Sequence, residues 1–334
     1  MYFKDKIKYS VLDLVPIAQG SNIKKALIES VELAKYTEKL GFFRYWVAEH
    51  HSMPGIGSAA TSIVMNHIAS NTKTIRIGAG GIMLPNHAPL IIAEQFGTLD
   101  ALHPNRIDLG LGRAPGTNPE TMLAIRGDAK KNGNDFPEKL SELRAFFAGN
   151  PIYNEVRAIP GENTNIPIWL LGSSDFSAIL AGKLGLPFAF ASHFSPNNTN
   201  IALKYYYDNF KPGVLEEPHT MVAINVFAAN TKKEAERIST SSKQQFLSLI
   251  RNKPALLPPP VDNMDEIWSE HEKLIVQSQL KNTIIGDENT IKSKIQEFIN
   301  MTKANEIIIV SSAFDIKDRL NSYKIIAQAM NIRD

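Results

Sequence analysis

The stretch Tyr45-Trp46-Val47-Ala48-Glu49-His50-His51 reads as a short apolar strand that runs straight into ionisable side chains. Its counterpart lies some sixty residues on, where Leu109-Gly110-Leu111-Gly112-Arg113-Ala114-Pro115-Gly116 takes a second apolar strand into a glycine-rich turn carrying one guanidinium. Apolar strands with chemistry at their C-terminal ends are the signature of a parallel barrel, whose mouth is built from strand ends and the loops that follow them. If the backbone is still extended at His50 and His51, their side chains leave opposite faces and only one aims inward. A bland alternative stands beside this: one imidazole hydrogen-bonded in the core, the other solvated. A metal pair is disfavoured, because the two histidines are adjacent and no second His-x-His or His-x-x-x-His occurs in the chain.

Working outward, short apolar or β-branched runs alternate with segments of helical period, the pattern of repeated βαβ units. Eight strands are expected, over 9–15, 45–49, 75–83, 106–110, 168–172, 187–191, 222–228 and 306–311. Helices are expected between them, among them 23–40, with Leu27, Val31 and Ala34 at helical spacing and Gly41 as C-terminal stop, and 316–330. An open doubly wound sheet also alternates, but its first strand normally feeds a Gly-rich dinucleotide turn, and Val11-Leu12-Asp13-Leu14-Val15-Pro16-Ile17 has none. The expected fold is α/β, a (β/α)8 TIM barrel forming one domain over 1–334. Three stretches break the alternation, 114–136, 150–166 and 251–289; the first and third are expected as mouth loops, the second as an insertion before the fifth strand.

Composition bounds the function. The chain has 334 residues, 43% of them hydrophobic, enough for a large core. Its 36 basic and 34 acidic residues are scattered, which favours neither nucleic acid nor an anionic membrane and points to small-molecule partners. The absence of cysteine excludes disulfide scaffolds, thiol catalysis and Cys-ligated metals. No apolar run approaches the ~18 residues of a membrane span. With no cleavage site recognisable after Met1, the expectation is a cytoplasmic protein.

Taken in order, Glu49-His50-His51, the run from Ile77 through Gly78, Gly80, Gly81 and Asn86-His87 to Pro89, Glu94-Gln95, Leu99-Asp100, Arg106 to Arg113 and Gly185-Leu186-Pro187 resemble the bacterial luciferase-like flavin monooxygenase superfamily. The resemblance covers most of the chain and fades over 251–289. It implies a (β/α)8 barrel using reduced FMN from a separate flavin reductase, with O2 and a small organic substrate; some branches use a deazaflavin instead, and relatives are often homodimers. It further implies that Arg113 and the serine-bearing turn Ser173, Ser174 and Ser177 hold the FMN phosphate, that Gly80-Gly81 form a non-proline cis peptide beneath the flavin ring, and that His50 is the functional histidine. Glu49 and His51 would support His50.

Each motif also has a reading of its own. A glycine-rich turn with an arginine suits an anion, but such turns also occur for steric reasons alone. Serines opening a helix bind phosphate or simply cap it. Gly78, Gly80 and Gly81 let a flat ring approach the backbone, or mark a bulge. Leu12 and Asp13 are candidates to reach the same ring, with Asp13 alternatively a solvated rim residue. His87 contacts a ligand or caps the next helix, and His193 is a weaker mouth candidate. The rivals to a monooxygenase are a deazaflavin-dependent dehydrogenase, a non-catalytic flavin-binding protein and a metal hydrolase barrel.

Overall fold

The computed structural model describes residues 7–114, 118–126, 133–150, 153 and 155–333. Parts of the expected loops 114–136 and 150–166 therefore lie outside the described residues.

Eight parallel strands close into a barrel: β1 (Lys8–Asp13), β2 (Arg44–Val47), β3 (Arg76–Met83), β4 (Ile107–Gly112), β5 (Ile168–Gly172), β6 (Phe188–Phe190), β7 (Thr220–Ala228) and β9 (Glu306–Val310). Each pairs with the next, β6 with β7, β7 with β9, and β9 with β1, so no edge is left open. All eight expected strands are present, with ends shifted by a few residues. The three-residue β8 (Ile284–Gly286), which pairs beside the C-terminal end of β7, was not expected.

Seven helices of the outer ring follow their strands: α1 (Ile23–Lys39), α2 (Thr61–Ala69), α3 (Pro89–Leu102), α5 (Phe136–Phe147), α6 (Asp175–Leu184), α7 (Thr199–Asn209) and α11 (Ile316–Ala329), with the short α4 (Pro119–Arg126) preceding α5. The Asn22 side chain caps α1 by accepting from Lys25 N at 3.1 Å. Gly41, one residue past its C-cap Leu40, supplies the left-handed φ of 87° that stops it. After β7 the chain departs from the pattern. It first forms α8 (Lys232–Ile250), α9 (Glu270–Gln279) and β8, and only then the eighth ring helix α10 (Glu288–Thr302), which packs on α11. The stretch 251–289 is thus folded, held by a Ser269/Glu272 capping box, by Arg251 paired with Glu272, and by Leu257 hydrogen-bonded to Ile17 and Gln19 beyond β1.

Period-two alternation divides the buried residues in two. Val11, Tyr45, Val47, Ile77, Leu109 and Ile309 face outward into the main core beneath the helices. Leu12, Trp46, Trp169, Ala189, Met221, Ala223, Ile308 and Val310 form a separate cluster inside the barrel. Trp46 fits there because its register partner is Gly78, where a Cβ would lie only 2.3 Å from the indole Nε1. The N-terminal end of the barrel is sealed by ions. Arg44 donates to Asp108 at 2.6 Å and Glu306 at 2.9 Å, Arg76 to Asp108 at 2.7 Å, and His219 to Glu306 at 2.9 Å. Buried charges persist when paired in this way, and despite burial His219 and Arg44 hold the Glu306 carboxyl down at about 2. The floor is closed, so access is from the other end.

Candidate active site

At the C-terminal mouth the strand ends enclose a cavity of about 290 Å³, lined by Leu12, Trp46, His50, Gly80, Arg113, Leu171, Ser173, Ser174, Ser177, Ala223 and Ile308 among others. Two strands and the helix that follows the second deliver its polar end. Gly112 closes β4 and Arg113 follows, its guanidinium lying 4.2 Å from the Phe176 ring centroid in the first turn of α6. Gly172 ends β5, and a Cβ there would stand 3.0 Å from the Ser177 Cβ, so a glycine lets the helix start directly on the strand. Ser174 is the N-cap residue of α6 yet makes no side-chain capping bond. Ser174 and Arg113 line the same cavity as this helix start and could hold an anion there, since helix N-termini carry unpaired N–H groups and partial positive charge.

The rest of the cavity lining is mostly apolar. The Gly80-Gly81 peptide is cis, and the ladder to β4 shifts register between Gly80 and Ile82, so the glycines mark a bulge, with Gly80 on the cavity lining. A Cβ on Gly80 would sit 2.9 Å from Leu12 Cδ1 and 3.1 Å from Trp46 Cε3. Gly81 is not on the cavity wall: its missing Cβ points at the Gly110 carbonyl, 2.7 Å away.

His50 stands at the far end. Regular β2 stops at Val47, and the bend beyond it is fixed by Ser58 and Thr61, whose hydroxyls both donate to the Ala48 carbonyl, and by His50 N donating to Ser58 O at 3.0 Å. This bend turns Glu49 away from the cavity. The Glu49 carboxylate is buried and accepts from His51 at 2.8 Å, His87 at 2.9 Å, Asn86 Nδ2 at 3.2 Å and the Met83 backbone N at 3.0 Å. Burial opposes its charge, but the donors, His87 foremost, hold its carboxyl below the usual range. Glu49 thus ties the loop after β2 to the loop after β3. His51 and His87 serve this tie and neither lines the cavity.

Asp13 departs from expectation. It neither reaches the cavity nor is solvated; it faces outward from β1, where it accepts from Arg319 at 2.7 Å, Ser30 at 2.5 Å, Tyr45 at 2.6 Å and Val15 N at 3.1 Å. Burial is outweighed by these partners, and its carboxyl is depressed. The reason is strand periodicity: Leu12 points in, so its neighbour points out. Sequence reasoning also missed wall residues. Trp46, Ala48 and Leu171 carry the period-two signal, whereas Met83, Phe190 and Phe194 carried none.

A family model for luciferase-like monooxygenases matches residues 7–304. A Bacillus subtilis (strain 168) protein, YvbT, described as uncharacterized, is 52% identical over 327 residues, covering 97% of each chain. An Escherichia coli (strain K12) luciferase-like monooxygenase is 47% identical over 329 residues, covering 98% of this chain and 97% of that one. The solved structure of apo-MsnO8 superposes with a TM-score of 0.87 at 31% identity, covering 98% and 99% of the two chains. The fold is a TIM barrel with a cavity at its C-terminal mouth, and the chain belongs to the luciferase-like monooxygenase family.

Proposed function

We propose that this chain is an FMN-dependent monooxygenase that receives reduced FMN from a separate flavin reductase and acts with O2 on a small organic substrate. The observation that carries this reading is that Arg113, Ser174 and the α6 N-terminus, groups suited to an anion, share one largely apolar cavity with His50. A planar ring with a phosphate tail has that polarity. Arg113, Ser173, Ser174 and Ser177 would hold the phosphate, and Leu12, Trp46 and Gly80 would flank the ring. Bound reduced FMN supplies the electrons and the site at which O2 is activated.

The chain's own contributions are three. The apolar wall excludes water from the reacting centre. His50 exchanges a proton at the end remote from the phosphate, a task for which an imidazole, able both to give and to take a proton, is suited. Glu49, with His51 and His87, fixes the bend that presents His50 and is a positioning residue. The test is reconstitution: native mass spectrometry of the chain with FMN, riboflavin and a deazaflavin coenzyme, followed by O2 consumption with a reductase. FMN retained in preference to the other two supports the reading; preferential binding of the deazaflavin overturns it in favour of a dehydrogenase.

A further inference from the structure

The mouth holds a second chamber. A cavity of about 380 Å³ shares Leu14, His50, His193 and Phe194 with the first and extends away from Arg113 to α8 and the chain just beyond it. Its apolar wall includes Met53, Ile56, Phe246 and Leu249. Among the described residues that line it, the polar ones are amides, hydroxyls and the two histidines, with no lysine, arginine, aspartate or glutamate. An organic ion entering it would lose hydration and gain no counter-charge, whereas an uncharged molecule gains by leaving water.

His193 stands at the join. Its Nδ1 is buried without a hydrogen-bond partner. The Phe194 ring meets it edge-on at 4.6 Å, and its backbone carbonyl accepts from Asn225 Nδ2 at 2.7 Å, so the imidazole is held in place by groups that do not satisfy it. Burial, reinforced by the nearby His50, holds its pKa down at about 3, which leaves the ring neutral in ordinary buffers. A neutral imidazole offers one N–H and one bare nitrogen; Nδ1 is closed off from the cavities, so it is the other side of the ring, on the wall of both chambers, that can meet a ligand's hydrogen-bonding group.

We propose that the second chamber is the subsite for the organic substrate, that it takes an uncharged, largely apolar molecule carrying one hydrogen-bonding group, and that the His193 imidazole pairs with that group at the join between the chambers. This rests on the monooxygenase reading for what lies in the first chamber. His193 acts as a specificity-determining residue: it selects a hydroxyl, carbonyl or amide and sets how far the molecule reaches toward the first chamber.

The test uses the full chain, alone and saturated with oxidised FMN, with 1-octanol, octanoate, octylammonium and 1-chlorooctane as probes followed by calorimetry and ligand-observed NMR at pH 7.5. The expected result is 1-octanol binding at least about tenfold tighter than either ion, undiminished by FMN. His193→Phe should weaken 1-octanol by roughly three- to tenfold, the worth of one hydrogen bond, and leave 1-chlorooctane unchanged, while His193→Asn should restore most of the loss. Leu249→Trp, on the chamber wall, should abolish 1-octanol binding and retain FMN. Either ion binding as well as 1-octanol, displacement of 1-octanol by FMN, or an unchanged 1-octanol affinity in His193→Phe overturns the proposal. Failure of FMN to bind with the 1-octanol pattern intact overturns the flavin reading and leaves the chamber's assignment standing.

Discussion

At the scale of single residues the site separates groups that touch a ligand from groups that hold those groups. On the proposed reading Arg113 is of the first kind, and Arg113→Ala should weaken FMN binding by about 1.5–3 kcal/mol while leaving riboflavin nearly unchanged, because only FMN carries the phosphate that a charge-assisted bond would grip. Parallel fluorescence titrations of the two flavins check this; equal losses would move Arg113 off the phosphate. His50→Ala should keep the fold and FMN but lose turnover by at least about a hundredfold, the usual worth of a positioned acid or base. A single-turnover assay with a cognate substrate decides it. His51→Ala should be milder, since Glu49 keeps His87, Asn86 and the Met83 amide as donors.

Elements differ in how plainly they announce themselves. The eight barrel strands were legible because an apolar run bounded by glycine, proline or a polar turn has few other uses at that spacing. α8 was not, because its amphipathic stripe is the same whether it packs on the barrel wall or lies across the mouth; only the fold shows that Ser242, Gln245 and Phe246 face a cavity. β8 was too short to read, and Asp13 required the barrel's inside to be assigned before its parity meant anything. One element prediction follows from the Trp46 and Gly78 register: Gly78→Ala should destabilise by about 1–3 kcal/mol, as inserting a methyl group into a filled interior does. Urea unfolding would measure it, and a neutral result would mean that the indole can turn aside. A second concerns the insertion. Replacing 258–281 with a short Gly/Ser linker should preserve the barrel and FMN binding yet raise the share of O2 released as hydrogen peroxide. Unchanged coupling would show that this segment does not shield the reacting centre.

The whole molecule carries its charge in a way that fixes its response to acid. Asp13, Glu49 and Glu306 all have carboxyls depressed in the folded state, so their stabilisation is present above the unfolded carboxylate range near pH ~4 and is lost as pH falls toward the folded values, about 2 for Glu306. His193 adds a term at higher pH. Its folded value of about 3 lies below the ~6.5 of an unfolded histidine, so between those limits the unfolded chain binds a proton that the folded chain refuses. Thermal midpoints should be flat above pH 7, decline below about 6.5, and fall steeply under about 4.5. His193→Asn should remove the upper part of that decline, which differential scanning fluorimetry across pH 3–8 would show.

The chain between β7 and α10 enters the barrel's circuit at one strand end and leaves at the next ring helix, carrying α8 and one wall of the second chamber with it. The proposed phosphate site comes from β4, β5 and α6, elsewhere in the chain. If the second chamber takes the substrate, the α8 side of its wall and the proposed flavin-phosphate site are encoded in separate lengths of sequence. A cassette spanning 229–287 exchanged with that of a relative should change which apolar body the recipient prefers, leave the selection of a hydrogen-bonding group with His193, which lies outside the cassette, and leave flavin affinity where it was.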